Sequence, residues 1–309
     1  MKFNDGVLIA NLMPFNEDLS VNWEALAEHT DKLQSIDGIR GFVVNAYAGE
    51  GPTLTLAERV RAVKLHRELA KADHAVIACV LDMSTQGAIE QAKAYQEAGA
   101  DALLICPPVV SGWKAADSPH VAVEFHKAIA EAVDLPLFLF QLSIGDSVAY
   151  SHELLMTLVR EVKSIVGVKM AQANDAVRYD MDYLGLQQMG RPIVSLPSVA
   201  SSMFHNLTTG AEGILTGLAT FAPHEMVELW QCIKSGNYAR AREIHLQLAE
   251  LNHIIYGHPY VDLHTRYKEV AYQAGVIPTP YLRGPQVRVS EEERVRLKAA
   301  LERAQIKPL

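Results

Sequence analysis

Short apolar runs alternate along this chain with longer segments whose apolar residues recur every three to four positions. The runs at 6–12, 41–46, 75–81, 102–106, 135–140, 164–170, 193–196 and 213–216 read as strands. Their near-continuous apolarity and β-branched residues are what strands covered on both faces require. The intervening segments read as helices. One over 21–34 turns Leu26 and Leu33 inward, and one running through Leu69 follows Thr55, an N-cap with Glu58 three residues on. The third carries Ala88, Ile89, Ala92 and Tyr95 and ends at Ala98-Gly99-Ala100-Asp101, where glycine closes the helix. Another covers 121–132. Beyond Phe221 only helical period remains, near 224–235, 238–255, 264–274 and 290–304.

Eight strand signals, each followed by a helix at a repeat of roughly 20–35 residues, predict an α/β fold of the (β/α)8 TIM-barrel type. Residues 1–222 then hold the barrel through strand eight, and 223–309 hold its last helix and a C-terminal helical appendix. An open doubly wound sheet is the rival, but its Gly-x-Gly-x-x-Gly fingerprint follows no strand.

Side chains at the carboxyl ends of barrel strands line the active site. In Ser164-Ile165-Val166-Gly167-Val168-Lys169-Met170 a lysine sits in an apolar run at such an end. Burial lowers a lysine pKa, by about 3–5 units when complete. The neutral amine can attack a ketone to form a Schiff base, which then acts as an electron sink. A lysine at a strand end can also snorkel to solvent; the barrel context favours the chemical reading. The same count places Tyr47, Glu50, Asp82, Cys106, Phe140, Gln141, Ser195, Ser198 and Thr216 at strand ends. One lysine among hydroxyls and few acids fits imine chemistry better than metal chemistry.

Composition narrows the class further. The 309 residues are 49% hydrophobic and 21% charged, with a net charge of −8 and a pI near 5.8, which argues against a nucleic-acid partner. No apolar run approaches the roughly 18 residues of a membrane span, and Met1-Lys2-Phe3-Asn4-Asp5 opens without a signal-peptide core. A cytoplasmic protein with no membrane partner is expected. Cys79, Cys106 and Cys232 form no Cys-x-x-Cys pair, so neither a disulfide framework nor a zinc site is expected. Cys106 reads either as a nucleophilic thiol or as a buried inert one. His253, His258 and His264 with Asp262 match no ligand spacing and read as helix and loop residues. No metal or organic cofactor is indicated.

Several stretches together carry a family likeness. These are Gly49-Glu50 followed by Thr53-Leu54-Thr55, residues 85–101 with their Ala-Gly-Ala-Asp ending, and Ile165-Val166-Gly167-Val168-Lys169. Residues 213–216 and Arg283-Gly284-Pro285 add weaker support. Over nearly its whole length the chain resembles the family of dihydrodipicolinate synthase and N-acetylneuraminate lyase, aldolase-type barrels that bind a 2-oxo acid such as pyruvate as a Schiff base. The resemblance implies that Lys169 forms the imine and that the protein is a homotetramer.

The departures from that family bear on function. Where it usually reads Gly-Thr-Thr-Gly-Glu, this chain reads Ala46-Tyr47-Ala48-Gly49-Glu50, losing two hydroxyls that hold the substrate carboxylate and relay a proton. Phe140-Gln141 stands where the family has a catalytic tyrosine and asparagine. The synthases' arginine is matched near Gly145, and their inter-subunit tyrosine by Val109. Lysine biosynthesis is therefore not the expected role. Tyr47 reads as a replacement general acid/base, or as filler packed on Phe140. Backbone N–H groups around Ala48 and Gly49 become the expected carboxylate cradle, aided by Ser195 or Thr216. Glu50 reads as an acceptor for its own glycine loop, and Asp82 as a substrate contact or a helix cap. Phe138, Phe140, Val109, Pro108 and Trp113 suggest an apolar pocket for a bulky aldehyde portion. The expected activity is a Schiff-base lyase on a 2-oxo acid. The rivals are a hydro-lyase or hydratase using the same imine and a non-catalytic keto-acid-binding protein, with a phosphate-handling barrel, suggested by Gly210, Gly213 and Gly217, more distant.

Overall fold

The computed structural model describes residues 3–142, 148–172 and 175–309. Its main sheet runs in the order β10-β1-β2-β3-β4-β7-β8-β9, every pair parallel. The strands are β1 (Val7–Ala10), β2 (Ile39–Val44), β3 (Ala75–Val80), β4 (Ala102–Ile105), β7 (Leu137–Leu142), β8 (Ile165–Ala171), β9 (Val194–Pro197) and β10 (Ile214–Thr216). The strands β5 (Val109–Val110) and β6 (Trp113–Lys114) form a separate antiparallel hairpin. Where β9 meets β10 the barrel closes without a ladder. There Glu212 donates its N–H to the Ser195 carbonyl (3.2 Å) and accepts from the Ser195 N–H through its carboxylate (2.8 Å).

Around the barrel lie α1 (Trp23–Gln34), α2 (Leu56–Leu69), α3 (Thr85–Glu97), α4 (Pro119–Ala132), α5 (His152–Glu161), α6 (Ala176–Gln187), α7 (Met203–Thr209) and α8 (Pro223–Lys234). They are followed by α9 (Tyr238–Gln247), α10 (Ala249–Ile255), α11 (Leu263–Gln273) and α12 (Glu291–Ala304). The Thr55–Glu58 capping box is present at the start of α2. Buried residues of the last helices, among them Leu251, Ile255, Tyr267 and Leu297, belong to the same apolar core as the strands. No helix among the described residues is long and apolar enough to cross a membrane.

Three local differences from the sequence reading have physical reasons. The fifth barrel strand begins at Leu137 rather than 135, because Pro136 has no N–H for the ladder and offers only its carbonyl, to Leu103 N–H at 3.0 Å. The helix expected over 238–255 breaks at Leu248, which turns into the core together with Leu251 and Ile255. The elaborate loop after β4 is a tight hairpin whose turn residues Ser111 and Gly112 both take positive φ, 51° and 87°, as a two-residue turn of matching twist demands.

Candidate active site at the barrel mouth

Strand alternation decides which predicted residues meet. Lys169 pairs in register with Phe140 on one side and Leu196 on the other. Its side chain enters the barrel, leaving the residue 6% exposed, with Nζ 4.2 Å from the centroid of the Phe140 ring. Burial pulls the Lys169 pKa down. Among the described residues no carboxylate pairs with this amine and no side chain hydrogen-bonds to it. Two residues earlier, a Cβ on Gly167 would lie 2.3 Å from the Phe138 ring, so glycine there lets Phe138 fill the barrel below the lysine.

The turn after β2 delivers Tyr47. Glu50 N–H donates to the Tyr47 carbonyl (3.0 Å) and Gly51 N–H to the Ala46 carbonyl (3.1 Å), with Glu50 itself at φ 51°. A Cβ on Gly51 would come within 1.9 Å of the Asn45 carbonyl oxygen, so the turn closes only on glycine. Glu50 does not serve its own loop, as the sequence reading expected. Its carboxylate pairs with buried Lys268 of α11 and accepts from the Arg283 N–H (3.1 Å), tying the turn to the C-terminal segment. The long-range partners could not be read from local sequence.

Tyr47 lies at 5.8 Å between ring centroids from Phe140 and 6.0 Å from His264. The neighbouring Cys106 sulfur, together with burial, pushes its phenol well above the ordinary tyrosine range, so it holds its proton at any working pH. Cys106 in turn sits 3.5 Å from Cys79 Sγ, and burial raises its thiol pKa, which makes it a poor nucleophile. Among the described residues, no backbone or side-chain acceptor takes the N–H groups of Ala48 and Gly49. They offer two unclaimed donors in the turn after β2.

Other predicted residues go elsewhere. Gln141, one position past Phe140, faces the helix layer: its amide donates to the Tyr150 carbonyl (3.1 Å) and to Asp182 (3.0 Å) and accepts from Tyr150 N–H. Ser195 also faces outward, its hydroxyl 3.4 Å from that of Tyr179 on α6. Asp82 accepts from Ser84 and Gln91, which makes it part of the turn that starts α3; Ser84 is the cap. Thr216 reaches the mouth, but its hydroxyl donates to the Ser198 carbonyl (2.9 Å). The apolar pocket expected from five residues does not assemble. Phe138 packs on Phe3 deep in the barrel (5.3 Å), Trp113 is 77% exposed on the hairpin, and Val109 pairs with Lys114. The position near Gly145 lies outside the described residues.

The C-terminal segment contributes groups that the sequence reading passed over. His264 of α11 lies 6.1 Å from Tyr267, whose ring packs against Gly217 after β10 and whose hydroxyl bonds to that of Tyr256. Burial and the charge of Lys169 push the His264 imidazole down to about 3, so it is neutral. The spacing of His264 and Tyr267, three residues apart on a helix, was the available signal that they share a face.

A family model described as the dihydrodipicolinate synthetase family matches residues 3–304. The 4-hydroxy-tetrahydrodipicolinate synthase of Agrobacterium fabrum is 32% identical over 258 residues, covering 83% of this chain and 84% of that protein. Its counterpart in Archaeoglobus fulgidus is 28% identical over 302 residues, 96% and 97% of the two chains. Among solved structures, YagE, a prophage protein of the dihydrodipicolinic acid synthase family from E. coli K12 in complex with pyruvate, superposes with a TM-score of 0.88 at 20% identity, over 99% of each chain.

Proposed function

The chain belongs to the dihydrodipicolinate synthetase family of aldolase-type lyases, and we propose that within it this protein is a Schiff-base lyase acting on a 2-oxo acid other than in lysine biosynthesis. One observation carries the reading: Lys169 is a desolvated amine with no ion-pair partner among the described residues, standing at the carboxyl end of a central barrel strand. Desolvation raises the neutral fraction that can add to a ketone.

In this reading Lys169 condenses with the 2-oxo group while Ala48 and Gly49 N–H groups hold the carboxylate. Tyr47, a permanent phenol beside the lysine, donates a proton to the hydroxyl that leaves as water when the imine forms. The imine then accepts the electron pair released when a carbon–carbon bond breaks. Pyruvate in the YagE complex supports a small 2-oxo acid as the common substrate part. Phe140 in place of the family's tyrosine supports an activity apart from the synthases. Family resemblance supports a tetramer.

Borohydride trapping with pyruvate and a panel of 2-oxo acids, read by intact mass and peptide mapping, tests the proposal. An adduct on Lys169 is the expected result. A folded protein that gives no adduct with any of them overturns the imine and leaves a binding protein. Product analysis separates aldol cleavage, which yields pyruvate and an aldehyde, from hydration by the same imine.

A further inference from the structure

An arc of rings runs around the barrel mouth from Phe140 through Tyr47 and His264 to Tyr267, with centroid spacings of 5.8, 6.0 and 6.1 Å. His264 is the imidazole in it, next to Tyr47 and within reach of the Lys169 charge. It differs from three of the buried histidines around the barrel. His66 and His126 hold Nδ1 against the carbonyls of Ala62 (2.8 Å) and Ala122 (2.7 Å), and His29 holds Nε2 against that of Thr220 (3.0 Å). No protein group among the described residues hydrogen-bonds to either ring nitrogen of His264, and the side chain is only partly buried. This residue stands at the start of α11, where the helix dipole favours the neutral base, and faces the groups that titrate at the mouth: Lys169 of β8, Tyr47 of the β2 turn and Tyr267 of its own helix.

We propose that His264 is the base and acid of the carbon–carbon bond step, a catalytic role distinct from that of Tyr47 and resting on the imine reading above. With a 4-hydroxy-2-oxo acid bound as the Lys169 iminium, a neutral His264 nitrogen takes the proton of the C4 hydroxyl. The C3–C4 bond breaks, its electron pair moves into C3 and the iminium to leave a neutral enamine, and the C4 oxygen becomes the carbonyl of the departing aldehyde. The imidazolium then returns its proton to C3 of the enamine, restoring the iminium and neutral His264, and water hydrolyses the imine. No oxidant or second cofactor is needed. In this division of labour Tyr47, beside Cys106 and Phe140, serves imine formation, and His264, next to it on α11 and within reach of the Lys169 charge, serves the carbon–carbon step.

The return of a proton to C3 can be isolated with pyruvate alone, since the pyruvate iminium loses and regains methyl protons through the same enamine. His264→Asn and His264→Gln are compared with the unaltered full-length protein for borohydride trapping of pyruvate and for exchange of its methyl protons in D2O, followed by proton NMR. Both variants are expected to trap pyruvate on Lys169 like the parent and to exchange about 100-fold more slowly, with partial recovery on adding imidazole, which a packing role would not give. Undiminished exchange in a folded variant that traps pyruvate overturns the role of His264, as does a parent protein that traps pyruvate without exchanging it. A parent that traps no 2-oxo acid overturns the imine reading instead, and this proposal with it. Should one variant fail to fold, the other and the imidazole recovery decide the matter.

Discussion

Lys169 Nζ rests 4.2 Å from the centroid of the Phe140 ring, and the two residues are direct register partners on adjacent parallel strands. The ring has two opposed effects on the amine. Its π face attracts the cation, which favours protonation, and its bulk excludes water, which favours the neutral form. Burial holds the lysine pKa below its ordinary value.

Removing the ring therefore returns Lys169 toward ordinary behaviour. Phe140→Ala is expected to slow borohydride-trapped adduct formation near neutral pH by roughly tenfold and to move its pH dependence upward, while Phe140→Leu changes it less. Adduct formation that speeds up in the alanine variant would show that the cation–π attraction, not dehydration, governs the amine.

Tyr47 carries the proton at imine formation if its hydroxyl acts, and merely fills the mouth if only its ring matters. Tyr47→Phe keeps the ring stack with Phe140 and His264 and removes the hydroxyl. Turnover is expected to fall about 100-fold or more with the endpoint of Schiff-base trapping intact. Retained turnover ends the assignment.

The Tyr47 turn is held from outside through Glu50, paired with Lys268 where both side chains are almost inaccessible, 2% and 1%. Burial draws Lys268 down to about 8 and pushes the Glu50 carboxyl up, while the attraction between the two groups opposes both shifts. Glu50→Gln leaves the ammonium uncompensated and is expected to cost about 3–5 kcal/mol. Glu50→Leu combined with Lys268→Met removes both charges and should cost less than the single change. Urea unfolding of the parent and the two variants measures this; a double variant that loses more stability than Glu50→Gln would contradict the cost assigned to the uncompensated ammonium.

Acid should weaken the fold through histidines that have no catalytic part. Burial pushes His29, His66 and His126 down to about 4 from the usual 6.5. With a depressed folded pKa, the unfolded chain takes up protons first, so stability is complete above about pH 6.5 and drains as pH falls toward about 4. Each histidine accounts for up to about 3 kcal/mol once fully titrated. His66 shows why protonation is resisted: Nδ1 donates to the Ala62 carbonyl, and Nε2 accepts from the Asn11 amide at 3.1 Å, so a second N–H would meet a donor. Urea midpoints should hold level from about pH 7.5 to about pH 6.5 and fall from there to about pH 5; a midpoint constant down to about pH 5 contradicts the neutral, buried assignment.

The barrel is legible in the order of residues alone, because two-sided burial writes each strand as a local apolar run and each helix as a local period. The sequence also singled out Lys169, once the barrel pattern placed its apolar run at a strand end. It named Tyr47, Ala48 and Gly49 through their position after the second strand. The folded chain alone selects which neighbours of Lys169 share its face. Phe140 and Gln141 are adjacent in sequence, yet pleating sends one to the mouth and the other to Tyr150 and Asp182. It also brought Lys268 to Glu50 and His264 to Tyr47 across more than two hundred residues of chain. Such contacts depend on how the last helices wrap back over the barrel to bury their apolar faces, and no local pattern of residues encodes that docking.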